Sequence, residues 1–125
     1  MKKILVIEEE PELRRLIEYN IDKNTKDVVS ITVGTRQEGE DIFVKNADEI
    51  IAVFVDGTLP DGDEASLVRK LRGEYYFIGE IVAMSGDQTI QEDLMKAGCT
   101  KSLPKPFSFA ELVKIIGYIT QQEVS

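Results

Sequence analysis

The chain has no histidine, no tryptophan and a single cysteine, and its basic residues are outnumbered. Without histidine it lacks the usual general base and the commonest transition-metal ligand, so any bound metal is expected to be a hard cation held by oxygen. Cys99 cannot close an internal disulfide, which suits a reduced, cytoplasmic setting and a role as a small buried apolar residue. No apolar run is longer than a strand of about six residues, so no membrane span is expected. The basic start Met1-Lys2-Lys3 leads into an apolar stretch that stops at Glu8, too short for a signal peptide. Fifteen Lys and Arg against 23 Asp and Glu give a formal charge of −8, which argues against direct nucleic-acid binding through counterion release. No glycine-rich turn follows the first apolar run, as a Rossmann nucleotide site would require.

What is present reads as alternating strands and helices. At 125 residues one domain over 1–125 is expected. Strands are predicted over Lys3–Ile7, Val28–Val33, Ile50–Val55, Ile81–Met84 and Lys101–Leu103. The first has continuous apolar residues, as in a strand buried on both faces, whereas Val29, Ile31 and Val33 alternate with polar residues. Helices are predicted from Pro11, over Gln37–Lys45, over Asp63–Arg72, from Thr89 to Ala97 with Gly98 as its stop, and from Ser108-Phe109-Ala110-Glu111, which has capping-box spacing. Leu13, Leu16, Ile17 and Ile21, then Ile42 and Phe43, then Leu67, Val68 and Leu71, then Leu112, Ile115, Ile116 and Ile119 form the inward stripes. This order implies a parallel sheet covered on both faces, with right-handed crossovers.

The apolar runs end on polar residues: the first on Glu8-Glu9-Glu10, the third on Asp56, the fourth on Ser85, while Ser102-Leu103-Pro104 leads into Lys105. In an open α/β sheet those ends lie along one edge, where such folds build their sites. Asp56 is the candidate nucleophile, because a carboxylate can attack a phosphoryl group to form an acyl phosphate. Glu8 and Glu9 add further negative charge that a Mg²⁺ ion would offset. Lys105 would place an ammonium, and Ser85 a hydroxyl donor, on phosphoryl oxygens. Taken singly, each has an ordinary alternative: a solvated turn at Glu8–Glu10, a loop cap at Asp56, a cap for the fourth helix at Ser85, a surface lysine at Lys105.

Ile4–Pro11, Val55–Gly62, Val82–Gly86 and Leu103–Phe107, in this order and spacing, resemble the receiver domain of two-component response regulators. The resemblance covers essentially the whole chain. It implies a flavodoxin-like (βα)5 fold of sheet order 2-1-3-4-5, with Asp56 phosphorylated by a sensor histidine kinase or phosphotransfer protein in a Mg²⁺-dependent reaction. It assigns Glu8, Glu9, Asp56 and the Thr58 carbonyl to the metal, Ser85 to the switch hydroxyl and Lys105 to the lysine that contacts the phosphoryl group, and it implies a cis Lys105–Pro106 bond. It also implies a protein that catalyses only its own phosphorylation and dephosphorylation. A downstream target would dock on the face of the fourth helix, fifth strand and fifth helix, with room for a homodimer.

The chain departs from the family pattern at three places. Glu9 stands where an aspartate is usual, and its longer reach predicts weaker Mg²⁺ binding. Glu64 replaces a glycine after the phospho-site loop. Ser102 replaces the aromatic residue that accompanies the switch hydroxyl. Thr58 and Asp87 fall at positions bordering the phosphoryl site, where they would tune hydrolysis. The alternative is a degenerate receiver that binds a partner without phosphorylation. Phe54-Val55-Asp56-Gly57-Thr58 also resembles the motif of haloacid-dehalogenase-like phosphatases, but phenylalanine would then occupy the nucleophile position.

Overall fold

A computed structural model describes residues 1–124. Its elements alternate: β1 (Lys2–Ile7), α1 (Pro11–Asn24), β2 (Val28–Val33), α2 (Arg36–Asn46), β3 (Ile50–Asp56), α3 (Glu64–Gly73), β4 (Glu80–Met84), α4 (Gln88–Ala97), β5 (Lys101–Ser102) and α5 (Phe109–Val124). All strands pair in parallel, in the order β2-β1-β3-β4-β5. The expected fold is therefore the observed one. No helix among the described residues is long and apolar enough to cross a membrane.

Strand parity decides which helices cover which face. Leu5, Ile7, Val53, Val55, Ile81 and Ala83 pack with Phe43, Leu67, Val68, Leu71 and Leu94, which puts α2, α3 and α4 on one side. Ile4, Val6, Ala52, Phe54, Val82 and Met84 pack with Ile17, Ile21, Leu112, Ile116 and Ile119, which puts α1 and α5 on the other. Continuous apolar runs in β1, β3 and β4 thus serve two cores at once. β2 is an edge strand, and its Val29 is exposed rather than inward. Within α2, Gly39 sits against the sheet so closely that a Cβ there would meet Ile7 Cδ1 at 2.3 Å, which explains a glycine in a helix interior.

The helix ends follow local chemistry. Thr35 caps α2 by accepting the Glu38 N–H, and Ser108 and Glu111 make a reciprocal capping box at α5. Gly98 ends α4 at φ 137. β5 is shorter than predicted, because Leu103 donates its N–H to Ala83 but is followed by Pro104, which has none to give. The Lys105–Pro106 peptide is cis.

Candidate functional site at the carboxyl edge of the sheet

β3 delivers Asp56 as its last residue, and the turn after β1 delivers Glu8; both are about 1% exposed. Lys105 arrives from the β5–α5 loop, held by its own N–H to the Ser85 carbonyl at 2.9 Å. Its Nζ donates to Glu8 Oε1 at 2.7 Å and to Asp56 Oδ1 at 3.3 Å. Two buried carboxylates thus share one ammonium. Glu8 Oε2 accepts the Glu10 N–H, which places the carboxylate at the start of α1. Asp56 Oδ1 also accepts the Thr58 N–H at 3.0 Å and the Thr58 hydroxyl at 3.1 Å, and Asp56 Oδ2 accepts the Glu9 N–H at 3.3 Å.

These contacts split the two acids. Burial pushes the Glu8 carboxyl above its ordinary range, and the neighbouring Asp56 adds to that against the pull of Lys105 and the Glu10 N–H. Burial also works against the charged form of Asp56. It is outweighed by the hydrogen bond with Glu8, the Thr58 and Glu9 N–H groups and the charge of Lys105, so Asp56 lies below its ordinary range. Burial lowers Lys105, but Glu8 and Asp56 outweigh it and the ammonium is held above its ordinary value. Of the pair, Asp56 is consequently the member held in its ionised form, and Glu8 is the one that takes up a proton first.

The remaining candidates are placed as follows. Glu9 joins through its backbone; its side chain is exposed and is not gathered with the other two carboxylates. Among the described residues no group of three or more Asp, Glu, His or Cys is drawn together to hold a metal. Glu8 and Asp56 still offer two oxygen-donor carboxylates to one Lys105 ammonium, and the receiver resemblance adds the carbonyl of Thr58, whose N–H and hydroxyl both bond Asp56. That set fits Mg²⁺, which commonly takes one or two carboxylates and keeps several waters.

The Ser85 hydroxyl accepts the Asp87 N–H at 3.0 Å and donates to the Asp87 carbonyl at 3.3 Å, so it faces the start of α4 rather than Asp56. Gly57 lies beside it, and a Cβ there would come within 3.1 Å of Ser85 Cβ. Asp87 caps α4 by accepting the Ile90 N–H at 3.0 Å. Ser102 is exposed, and its hydroxyl accepts from Gln91 Nε2 at 2.7 Å; the same nitrogen donates to the Ala83 carbonyl at 2.9 Å. A groove of about 660 Å³ opens there, where Gln91, Met95, Ser102 and Lys105 line the space between α4 and β5.

Sequence reasoning missed Gln91, the clamp on the phospho-site loop and the role of Glu64. Asp61 accepts the Arg36 and Gln37 N–H groups at 2.8 and 3.0 Å, which ties that loop to α2, and Glu64 accepts the Leu59 N–H at 2.8 Å. These are contacts between residues far apart in sequence or across a loop, with no local spacing to announce them.

No protein-family model matches the chain, and no curated protein matches it in sequence. Solved structures do. A two-component response regulator from Clostridium difficile superposes with a TM-score of 0.84 at 20% identity, covering 100% of both chains. The signal receiver domain of a DNA-binding response regulator (merR) from Colwellia psychrerythraea 34H gives 0.86 at 17% identity, covering 98% of this chain and 100% of that one. The beryllofluoride-activated NtrC4 receiver domain, a dimer in solution, gives 0.83 at 19% identity, covering 98% of each. This chain has the fold of response-regulator receiver domains.

Proposed function

We propose that this chain is a phosphoacceptor receiver of two-component signalling, taking a phosphoryl group on Asp56 from a sensor histidine kinase or phosphotransfer protein. The observation that carries the reading is the convergence of Asp56, Glu8 and Lys105 at the carboxyl edge of a 2-1-3-4-5 sheet. An ionised Asp56 oxygen bonds to phosphorus. The bond from phosphorus to the donor's imidazole nitrogen breaks, and its electron pair stays on the donor. In hydrolysis a water oxygen bonds to phosphorus, the bond to Asp56 breaks, and the carboxylate returns. The chain acts only on itself in both steps.

Lys105 neutralises charge on a phosphoryl oxygen at no cost of reorganisation, since it is already held at Asp56. Ser85 serves a second oxygen after leaving the Asp87 turn. Thr58, bonded to Asp56 Oδ1, and Asp87, at the start of α4, border the group and tune its lifetime. Mg²⁺, held by Glu8, Asp56 and the Thr58 carbonyl, would supply the charge that lets a phosphoryl group approach two carboxylates, while Glu9 contributes its backbone N–H to Asp56. The cytoplasm is the setting. The α4, β5 and α5 face is the output surface toward a downstream protein or a second copy of the chain.

The test is intact-protein mass after incubation with a small acyl-phosphate donor, with and without Mg²⁺. A Mg²⁺-dependent phosphoryl adduct on the native chain, lost in Asp56→Asn, supports the reading; label on another residue would sink it. The second reading is a module that binds its partner without phosphorylation. It is favoured by Ser102, whose hydroxyl engages Gln91 where receivers carry an aromatic ring. No adduct from either the small donor or a phosphorylated kinase, in folded protein, would establish it instead.

A further inference from the structure

Each amide from Gly57 to Leu59 is committed to one acceptor. Gly57 donates to the Met84 carbonyl at 2.8 Å, Thr58 to Asp56 Oδ1 at 3.0 Å, and Leu59 to Glu64 Oε2 at 2.8 Å. The last is a side chain reaching back from the first residue of α3. Glu64 is half-buried and Leu59 is 6% exposed, so water competes little for this bond. Glu64 is the first residue of α3, after the N-cap residue Asp63 at φ 54, whose side chain makes no capping hydrogen bond.

The peptide joining Thr58 to Leu59 is trans, and a trans peptide is planar with its N–H and C=O opposed. A carboxylate on the N–H therefore does two things. It fixes the peptide plane, aiming the Thr58 carbonyl away from Glu64. It also draws the N–H toward negative charge, which polarises the amide and raises electron density on the Thr58 oxygen. A neutral acceptor would do mainly the first.

We propose that Glu64 is a positioning residue for a divalent cation at the Asp56 site, holding and polarising the Thr58 carbonyl as an oxygen ligand. This rests on the receiver reading. The need for it follows from Glu9, whose carboxylate is not gathered with Glu8 and Asp56, so the backbone oxygen carries a larger share of the binding. The loop does not depend on Glu64 for its course. Asp61 grips the start of α2 through two amides, and Arg36 Nε donates to the Gly62 carbonyl at 2.9 Å. Loss of Glu64 should change the ligand more than the fold.

The experiment is a Mg²⁺ titration of the full chain by calorimetry and by amide NMR shifts, on the native protein, Glu64→Gln, Glu64→Ala and Asp56→Asn. Glu64→Ala is expected to weaken Mg²⁺ binding roughly tenfold, the usual scale for a residue that orients a ligand. Glu64→Gln, which keeps an acceptor and loses the charge, should fall between Glu64→Ala and the native protein. The Leu59 amide proton should move upfield in Glu64→Ala before any metal is added. Equal affinities for the native protein and Glu64→Ala, with Asp56→Asn inactive, would overturn the role of Glu64 and leave the receiver reading standing. A folded native protein that takes up no Mg²⁺ at all would overturn both.

Discussion

Two clusters in this molecule set buried carboxylates against a lysine, and their charge balances differ. Between α2 and α3, Glu40 accepts from Lys70 Nζ and from the Tyr75 hydroxyl, each at 2.6 Å. One buried carboxylate meets one ammonium and one phenol, with the solvated Glu74 at 4.0 Å from Lys70, and Phe43 and Phe77 pack edge-on beside them. At the sheet edge, Glu8 and Asp56 share Lys105 alone. The hydrogen bonds from Lys70 and Tyr75 hold Glu40 below its ordinary range, whereas burial pushes Glu8 above it. The first cluster closes on itself and ties two helices together. The second keeps uncompensated negative charge where water is scarce, which costs stability and is worth keeping only if something positive arrives there. Imbalance, more than polarity, separates a site from a strut.

Removing the lysines breaks the comparison most sharply. Lys105→Ala should slow phosphoryl uptake by roughly a hundredfold, the scale of losing one charged donor at a transferring group. Lys70→Ala should leave uptake unchanged; equal losses in the two variants, read by adduct formation over time, would erase the distinction. Mg²⁺ offers a second separation. A cation that binds only the folded chain stabilises it by about 2.7 kcal/mol at one hundred times its dissociation constant. Native protein and Glu40→Gln should both show the rise in melting temperature, and Glu8→Gln should lose most of it. Without Mg²⁺, Glu40→Gln should cost about 1 kcal/mol, as expected for a partly exposed ion pair whose tyrosine bond survives the change. Urea unfolding would measure it.

Much of this was legible because the chemistry sits at strand ends. The apolar runs located β1, β3 and β4 within a residue or two, and the residues that follow them are the ones the fold brings together. Which glutamate enters follows from strand parity. Ile4 and Val6 face α1 and α5, and so does Phe54, so Glu8 and Asp56 extend the same face, while Glu9, of opposite parity, has its side chain exposed. Lys105 reaches that face from the loop leading into α5. Ser85 has the opposite parity to Met84, which fits its turn toward α4. Asp61, Glu64, Gln91 and Tyr75 were not legible. Asp61 and Gln91 each act through two bonds and Glu64 and Tyr75 through one, and all of these depend on how a loop or helix packs rather than on local spacing.

The finest separation of the two clusters is by pH, since their shifts run in opposite directions. Glu40 is depressed, so its contribution to stability is present above its unfolded value of 4.5 and is lost as pH falls through its lower folded value. Glu8 is raised, so the folded chain holds its proton more tightly. Its contribution is full below 4.5 and is lost as pH rises toward its folded value. Urea midpoints followed from acid to neutral pH without divalent cations should therefore respond on opposite sides of 4.5. Glu8→Gln should flatten the decline above that point. Glu40→Gln should soften the fall below it without removing it, because Asp56 and Asp61 are depressed as well. Both variants acting on the same side would mean that the two carboxylates share one electrostatic environment, and that the sheet edge holds no surplus charge for a cation to meet.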